Sequence, residues 1–265
     1  MSSNILDTII AAKRIEVEER KRSVSVKTLE GSTFFTRETI SLKDSLIKGD
    51  RSGIIAEFKR RSPSKGLFNG SASAQSITQS YADLGASAVS ILTDVEFFGG
   101  SNQDLIDSRN ISIPILRKDF IIDEYQILEA RSIGADLILL IAANLTPQEV
   151  TRLGSFAKSL GLEVLLELHA EEELGHVSEN VDIVGVNNRD LKTFTVDLHR
   201  SIELAKKIPA SFPLISESGI RDAGDINLLK SEGFSGFLIG ETFMKEADPA
   251  IAFATFIKQL KHSQE

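Results

Sequence analysis

The sequence has no cysteine and no excess of positive charge, and both absences exclude classes of protein. Without cysteine the chain has no disulfide, no thiolate nucleophile and no zinc ribbon, which fits a reducing compartment. The net charge of −8 argues against a nucleic-acid partner, because nucleic acids are bound through basic surfaces. A small anionic substrate agrees with this charge only where cations are gathered around its site.

Long apolar runs are also missing. No stretch of about 18 apolar residues occurs, so we expect no transmembrane helix and no membrane partner. Charges interrupt the N-terminal stretch NILDTIIAAKRIEVEERKR, and no small-residue cleavage site follows it, so we expect no signal peptide and a cytoplasmic location. Helical spacing predicts an amphipathic helix here that covers the core rather than binding a partner, with an inner face made of Leu6, Ile9, Ile10, Lys13 and Val17.

One local phrase recurs along the chain: a helix end, a glycine, and then an apolar strand. It occurs as DLGASAVSIL, SIGADLILLI, SLGLEVLLEL and SEGFSGFLIG, with the glycines at 85, 134, 161 and 233. These positions are separated by nearly whole multiples of about 24–27 residues, the length of one strand plus one helix. The repeat therefore predicts a parallel α/β protein.

Filling in this period predicts eight strands and the helices between them. The strands are expected at 54–59, 88–93, 114–118, 137–143, 163–168, 183–187, 213–217 and 236–240. The helices are expected at about 74–84, 102–109, 123–132, 147–159, 170–176, 197–207, 221–231 and 248–261. Thr146, Pro147 and Glu149 are typical of a capped helix start, and residues 60–73 are expected to form a mobile loop.

Polar residues end nearly every predicted strand, which favours a closed barrel over an open sheet. They include Glu57, Lys59, Asp94, Lys118, Asn144, Glu167, Asn187, Arg189, Glu217, Ser218 and Glu241. An open sheet gathers its ligand at one switch point, whereas a (β/α)8 barrel brings all eight carboxyl ends to one rim. No G-x-G-x-x-G of a dinucleotide-binding fold follows the first strand. We predict one α/β domain over residues 1–265, in which a helical extension (1–50) precedes a (β/α)8 TIM barrel (51–265).

Two lysines and three glutamates are predicted to share the cavity at this rim. Because strand side chains alternate, Glu57 and Lys59 share the inward face of one strand, and Lys118, Glu167 and Glu217 face inward from three others. Charged residues seldom occupy such positions unless they are paired or used. Two interpretations remain open: salt bridges that only close the top of the barrel, and acid–base catalysis in which each group shifts the pKa of its neighbours.

Glycine-containing turns follow the last two predicted strands. ESGI at 217–220 and IGE at 239–241 each lead into a helical segment. In many barrels the backbone N–H groups of this pair of loops hold a phosphate, because glycine lets the backbone approach the anion closely. We therefore expect phosphate binding there, with Ser62, Ser64 and Lys65 of the first loop closing over it.

Metal and serine-hydrolase sites are not indicated by the sequence. The four histidines, at 169, 176, 199 and 262, lack ligand spacing, so we expect no metal and place most of them at the surface. No G-x-S-x-G turn of a serine hydrolase occurs. The chemistry is expected to depend on the lysines and carboxylates of the rim.

Six motifs, each at a predicted strand end, resemble those of the indole-3-glycerol phosphate synthases over nearly the whole chain. The motifs are IIAEFKRRSPSKG, PILRKDFI, LLELH, VGVNNRDL, ISESGI and FLIGETFM. The resemblance implies a carboxy-lyase of tryptophan biosynthesis that converts 1-(2-carboxyphenylamino)-1-deoxyribulose 5-phosphate into indole-3-glycerol phosphate, carbon dioxide and water. It also implies that no cofactor is needed, because ring closure, decarboxylation and dehydration can all run on proton transfers. We expect a monomer whose partner is this small phosphorylated anion.

The resemblance also assigns roles to single residues. Lys118 is expected to protonate the ribulose carbonyl, and Glu167 to serve as the acid/base residue for the loss of water. Lys59 is expected to hold the anthranilate carboxylate, and Glu57 to orient both lysines. The other implied roles are positioning by Asn187 and Arg189, contact with the polar chain of the substrate by Glu217 and Ser218, phosphate binding by Ser62, Gly219, Gly240 and the backbone of Glu241, and an apolar wall made by Phe120 and Leu139.

Two other functions stay open on the residues alone. A sugar-phosphate isomerase or epimerase would use a similar phosphate-binding barrel, but with a base pair across a small sugar instead of a pocket for an aromatic ring. A non-catalytic phosphate-binding barrel would bind substrate without turning it over. The complete set of rim lysines and glutamates favours an enzyme over the second alternative.

Overall fold

The computed structural model of the chain describes residues 5–63, 66–70, 72–190 and 195–263. Its N-terminal part is helical, as predicted, and consists of α1 (Ile5–Ser23), α2 (Val26–Glu30) and α3 (Leu42–Lys48). The predicted inner face of α1 is buried at Leu6, Ile9, Lys13 and Val17, and partly buried at Ile10. The helix therefore covers the core, as expected from its spacing.

Within the described residues, eight parallel strands close into a barrel in which each strand pairs with its neighbours along the repeat. The described residues contain ten strands, which are β1 (Ile54–Phe58), β2 (Arg61–Ser62), β3 (Gly66–Leu67), β4 (Ala88–Leu92), β5 (Ile115–Lys118), β6 (Leu137–Ile141), β7 (Glu163–Leu168), β8 (Ile183–Asn187), β9 (Leu214–Glu217) and β10 (Gly236–Ile239). The barrel consists of β1 and β4 to β10, and its strands agree with the predicted ones to within two residues. The predicted (β/α)8 barrel is confirmed.

The remaining two strands form a small antiparallel hairpin in the loop after β1, where an irregular segment was predicted. Arg61 pairs with Leu67 and Ser62 pairs with Gly66. Two-residue strands are too short to show an alternation of apolar and polar residues, so no sequence pattern indicates them. Ser64 and Lys65, which were expected to close over a phosphate, lie outside the described residues.

Helices cover the outside of the barrel at the predicted places. They are α4 (Ala74–Asp83), α5 (Asn102–Asp107), α6 (Glu124–Ile133), α7 (Pro147–Ser159), α8 (Leu198–Ala205), α9 (Ala223–Ser231), α10 (Glu241–Met244) and α11 (Pro249–His262). The segment predicted as a helix at 170–176 is a 3-10 helix, Glu171–His176, and the short α10 was not predicted. Thr146 and Glu149 form the expected capping box at the start of α7. In the described part of the chain, no helix has the length and apolar character needed to cross a membrane.

The glycines of the recurring phrase end helices in the left-handed conformation. Gly134 caps α6 with φ of 94°, and Gly85, Gly161 and Gly233 have φ of 96°, 74° and 93°. Residues with a Cβ atom resist this conformation, so glycine allows the chain to leave each helix and enter the next strand directly. The interpretation of the phrase as a strand-and-helix repeat is confirmed.

The barrel strands carry an inner and an outer set of side chains. The inner apolar set includes Ile55, Leu116, Leu165 and Ile215, all fully buried. Leu42 and Leu46 of α3 join this set at the amino ends of the strands, where Glu163 accepts a hydrogen bond from the Leu42 N–H at 2.9 Å. One end of the barrel is thus filled and covered, and any chemistry is confined to the other end.

Candidate active site

All fourteen predicted site residues line one cavity of about 910 Å³ at the carboxyl ends of the barrel strands. They are Glu57, Lys59, Ser62, Lys118, Phe120, Leu139, Glu167, Asn187, Arg189, Glu217, Ser218, Gly219, Gly240 and Glu241. The predicted convergence of these residues is therefore confirmed. Their individual roles stay predictions.

The centre of the cavity is a cluster of one lysine and two glutamates from three different strands. Lys118, at the end of β5, places Nζ 3.0 Å from Glu167 Oε2 and 2.7 Å from Glu217 Oε2. Leu116, Leu165 and Ile215 lie two residues earlier on the same strands and are fully buried inside the barrel. Two-residue alternation thus places the three charged groups directly above the apolar filling.

The three groups of this cluster shift one another's proton affinity. Burial opposes the charge of Lys118, but the carboxylates of Glu167 and Glu217 outweigh burial and raise the pKa of Lys118. Burial also opposes ionisation of Glu167, yet Lys118 and His169 hold the pKa of Glu167 well below its usual range. Burial raises the pKa of Glu217 to about 7 despite Lys118, and repulsion from Glu167 adds to this effect. Because two carboxylates share one ammonium group, the cluster holds an exchangeable proton near neutral pH.

Lys59 and Glu57 form a second ion pair on the neighbouring side of the cavity. Lys59 Nζ lies 2.6 Å from Glu57 Oε1 and 5.7 Å from the centre of the Phe68 ring. The carboxylate of Glu57 packs so closely against Gly240 that a Cβ atom there would collide with Oε1. Gly240 is therefore explained first by its contact with Glu57, in addition to any contact with a ligand.

Glycine is required at another position inside the barrel for the same reason. A Cβ atom on Gly185 of β8 would collide with Oε1 of Glu217. The glycine leaves room for this carboxylate to reach Lys118 from the opposite strand. No predicted role was attached to Gly185, because its effect depends on the neighbouring strand.

In the turn after β9, two successive residues have a left-handed backbone, and the buried side chain of Asn188 hydrogen-bonds to the turn. Ser218 has φ of 69°, which is costly for a residue with a side chain, and Gly219 follows with φ of 73°. The buried Asn188 side chain donates to the Ser218 carbonyl at 2.6 Å and to Ser216 Oγ at 3.0 Å. Thr242 Oγ1 donates to the Ile220 carbonyl at 2.7 Å, which links this turn to the one after β10. The two turns predicted to bind phosphate are thus joined and held in place.

The apolar wall of the cavity is larger than predicted. Phe120 and Leu139 line it, as expected, and Phe98 packs on Phe120 with 6.0 Å between ring centres. Leu6 and Ile9 of α1 also line the cavity. The sequence identified these last two residues as apolar and inward-facing, but it did not indicate that they reach the site.

His169 was also missed, because the histidines were assigned mainly to the surface. It is only 8% exposed, lines the cavity, and places Nε2 3.1 Å from Glu167 Oε1. His199 and His262 are exposed, in agreement with the prediction. The inward-facing positions of β7 include Leu165 and Glu167, and the same two-residue alternation reaches His169 just beyond the end of the strand. Within the described ranges, no three histidine or carboxylate side chains are grouped so that they could hold a metal ion.

Two polar residues at strand ends serve other purposes. Asp94 turns away from the cavity centre and lies 2.8 Å from Nζ of Lys13 on α1. Asn144 belongs to a short 3-10 helix, Ala142–Asn144, after β6. A polar residue at a strand end is therefore not sufficient evidence of a place in the site.

The closed barrel, with lysines and carboxylates gathered in a cavity at the carboxyl ends of its strands, defines the class of protein as a (β/α)8 barrel with a polar site at the rim where such barrels carry their chemistry. The fold alone is shared with a chain of the tryptophan synthase α2β2 complex from the hyperthermophile Pyrococcus furiosus, at a TM-score of 0.60 and 14% identity over 80% of this chain and 99% of that chain.

Residues 6–256 match the family described as indole-3-glycerol phosphate synthase, and the chain belongs to that family. Relatives of this name include one from Bacteroides thetaiotaomicron, 48% identical over 97% of this chain and 99% of its own length. Another, from a Polaromonas species, is 42% identical over 95% of this chain and 97% of its own length.

Proposed function

We propose that this chain catalyses the reaction for which its family is named, with the rim cluster as its acid–base machinery. The reaction is the cyclisation, decarboxylation and dehydration of 1-(2-carboxyphenylamino)-1-deoxyribulose 5-phosphate to indole-3-glycerol phosphate in tryptophan biosynthesis, and the enzyme is a carboxy-lyase. The observation that carries the assignment of the cluster is the direct contact of Lys118 with both Glu167 and Glu217 inside the cavity.

Lys118 is the proposed general acid for ring closure. Its raised pKa keeps the ammonium form at neutral pH, so a proton is in place when the aromatic carbon attacks the ribulose carbonyl. Lys59, paired with Glu57 at 2.6 Å, is placed to hold the carboxylate of the anthranilate ring until carbon dioxide leaves. Loss of carbon dioxide restores the aromatic ring without a further acid.

Glu167 is the proposed acid/base residue for the loss of water. Its lowered pKa makes it a carboxylate in the resting enzyme, so it must acquire a proton before it can give one to the leaving hydroxyl group. Asn187 Nδ2 donates to Glu167 Oε1 at 3.1 Å and thereby fixes the direction of the carboxylate. Glu217, with its pKa raised to about 7, is proposed to share the proton of the cluster and to contact the polar chain of the substrate.

The two ends of the substrate are proposed to occupy opposite sides of the cavity. The phosphate is assigned to the linked turns at Gly219 and at Gly240 and Glu241, with Ser62 of the hairpin lining the same cavity. The aromatic ring is assigned to the wall formed by Phe120, Leu139 and Phe98. Arg189, whose Nη2 lies 3.7 Å from Glu241 Oε2, adds positive charge near the phosphate turns. The cations needed by an acidic protein are thus gathered where the substrate is anionic.

A direct assay tests the proposed function. Incubation of the protein with the carboxyphenylamino substrate is expected to release carbon dioxide and to generate indole absorbance in equal amounts. Conversion of simple sugar phosphates without release of carbon dioxide would instead indicate an isomerase. We further propose that the enzyme is cytoplasmic and that it is a monomer. A mass measurement in solution at working concentration tests the oligomeric state.

A further inference from the structure

His169 has the position of a proton-exchanging partner for Glu167. It follows β7, two residues beyond Glu167 on the same inward side, and its Nε2 lies 3.1 Å from Glu167 Oε1. Among the residues that the structure describes, neither ring nitrogen makes a hydrogen bond of good geometry, although the ring is only 8% exposed. A buried imidazole that has one nitrogen beside a carboxylate and both nitrogens without a well-formed hydrogen bond is not explained by packing.

Two of the other groups around Glu167, Lys118 and Asn187, are poor proton donors to it. Lys118 contacts Glu167 Oε2 at 3.0 Å, but its ammonium group is also bound by Glu217 at 2.7 Å. Asn187 contacts Oε1, but an amide does not titrate. Glu217, whose pKa is raised to about 7, pairs with Lys118, whereas His169 contacts Glu167 Oε1 at 3.1 Å. Because histidine ordinarily titrates near neutral pH, His169 is suited to pass a proton to Glu167 and take it back.

We propose that His169 supplies Glu167 with the proton used in the loss of water, an inference that rests on the proposed role of Glu167. The imidazolium gives its Nε2 proton to Glu167 Oε1, and Glu167 gives a proton to the leaving hydroxyl group as the carbon–oxygen bond breaks. The proton that the indole ring then gives up returns through Glu167 to Nε2. Protons balance over the cycle, and no further reactant is needed. Because His169 acts through Glu167, it is a positioning residue that also stores the proton.

The surroundings of His169 hold its backbone in place and favour the charged form of its ring. The His169 N–H donates to Glu173 Oε2 at 2.6 Å, and Arg200 Nη2 donates to the His169 carbonyl at 2.9 Å. Burial lowers the pKa of His169, but the hydrogen bond and the charge of Glu167 outweigh it and the pKa is raised. The titratable and charged groups that face it from the packed elements are Glu167, Glu173, Glu217, Lys118 and Arg200.

Single-turnover measurements on the full-length enzyme test this inference. Carbon dioxide release reports ring closure and decarboxylation, whereas indole absorbance reports the later loss of water. His169→Gln places an amide near the position of Nε2 that donates a hydrogen bond but does not titrate. We expect indole formation in this variant to be slower by up to about 10²-fold, with carbon dioxide release changed by less than about 2-fold. His176→Asn is the matched control, since His176 lies outside the cavity and contacts the carbonyls of Glu173 and Leu145.

The pH profile gives a second readout, which a purely structural role would not change. In the wild type, indole formation should slow as the pH rises through the pKa of His169, above its ordinary value of 6.5. This limb should vanish in His169→Gln and persist in His176→Asn. Equal slowing of carbon dioxide and indole in His169→Gln, or rates like the wild type, would overturn the inference. A wild-type enzyme that forms neither product would instead overturn the proposed function.

Discussion

Two buried ion clusters lie on opposite sides of the ends of β4 and β5, and they differ in how completely their charges are paired. In the cavity, Lys118 serves two carboxylates, of which Glu217 has a raised pKa. Behind the strands, Lys13 Nζ lies 2.8 Å from Asp94 Oδ2 and 3.0 Å from Asp119 Oδ1. Asp119 follows Lys118 directly in the sequence, so adjacent residues belong to the two different clusters.

The cluster behind the strands has cations on both sides of its carboxylates. The fully buried Arg117 lies 3.2 Å from Asp119 Oδ2 and 3.3 Å from Glu129 Oε2. Burial opposes the charge of Asp119, but Arg117 and Lys13 outweigh burial and lower the pKa of this carboxyl group. The raised pKa of Lys13 and the lowered pKa of Asp119 keep both of these groups charged at neutral pH. The difference indicates that a buried carboxylate stays ionised where two cations contact it, as at Asp119, and has a raised pKa where it shares a single cation with another carboxylate, as at Glu217.

The largest expected effect is on turnover, from a change in the cavity cluster. Lys118→Met removes the proposed general acid and should lower kcat by about 10²–10⁴-fold, with the barrel still folded. Steady-state kinetics and circular dichroism measure the two quantities. Lys206→Met is the control, because Lys206 is exposed at the end of α8 and pairs with Glu203 away from the cavity. Near-normal turnover in Lys118→Met would remove Lys118 from its proposed role.

The matching change in the other cluster should act on stability. Lys13→Met leaves Asp94 and Asp119 buried without their shared cation, which typically costs about 3–5 kcal/mol of the free energy of unfolding. Urea unfolding followed by circular dichroism measures this loss. Asp94 also accepts from the Phe98 N–H at 3.2 Å, and Asp119 from the Phe120 N–H at 2.8 Å, so KM should rise as the aromatic wall loosens. A loss below about 1 kcal/mol would show that the cluster does not hold the fold.

The sequence predicts the cluster in the cavity, but it does not predict the cluster around Lys13. Alternation along single strands was enough to bring Glu167, Lys118 and Glu217 together, because all eight strand ends of a barrel meet at one rim. The sequence predicts Lys13 on the inner face of a helix and Asp94 at the end of a strand, but it does not predict that they form a pair. Their contact joins the N-terminal extension to β4, and such long-range pairing depends on how the helix lies against the barrel. Local periodicity contains no information about it.

The same limit explains the other omissions. His169 lies one residue past the end of both the predicted and the observed β7, and Gly185 matters only because the Glu217 side chain of β9 packs against it. The hairpin of β2 and β3 is too short to have a period. The sequence therefore predicts a site residue when its position follows from the alternation along one strand. It does not predict a site residue whose importance follows from how two elements pack together.

The pH dependence of stability should have opposite signs in the two clusters. The pKa of Glu217 in the folded state, about 7, lies above its ordinary value of 4.5. Between these two pH values the folded protein keeps a proton on Glu217 that the unfolded chain releases. The contribution of Glu217 to the free energy of unfolding is therefore fully present below pH 4.5 and is lost as the pH rises through 7. Across this pH window, the free energy of unfolding of the wild type should fall by up to about 3 kcal/mol relative to that of Glu217→Gln.

Asp119→Asn is the comparison for this measurement. The lowered pKa of Asp119 contributes stability above its ordinary value of 3.8, which is lost as the pH falls toward the lowered value. Urea unfolding of both variants and of the wild type, repeated across pH, measures the two slopes. Curves that run parallel to the wild type in both variants would contradict the contrast between the clusters.

The smallest expected effect comes from a lysine that differs from Lys13 mainly in exposure. Lys21, two turns further along α1, lies 2.8 Å from Asp123 Oδ2 and 3.0 Å from Glu18 Oε1, but its side chain is 34% exposed. Water and dissolved ions screen its pairs, so Lys21→Met should cost no more than about 1 kcal/mol in urea unfolding. Both lysines lie on α1 and contact one carboxylate of that helix, Glu16 at 2.7 Å from Lys13 and Glu18 at 3.0 Å from Lys21, together with carboxylates of the barrel, so the gap between the two variants reflects mainly the difference in burial. Equal losses in Lys13→Met and Lys21→Met would mean that burial of the ion pair does not determine its contribution here.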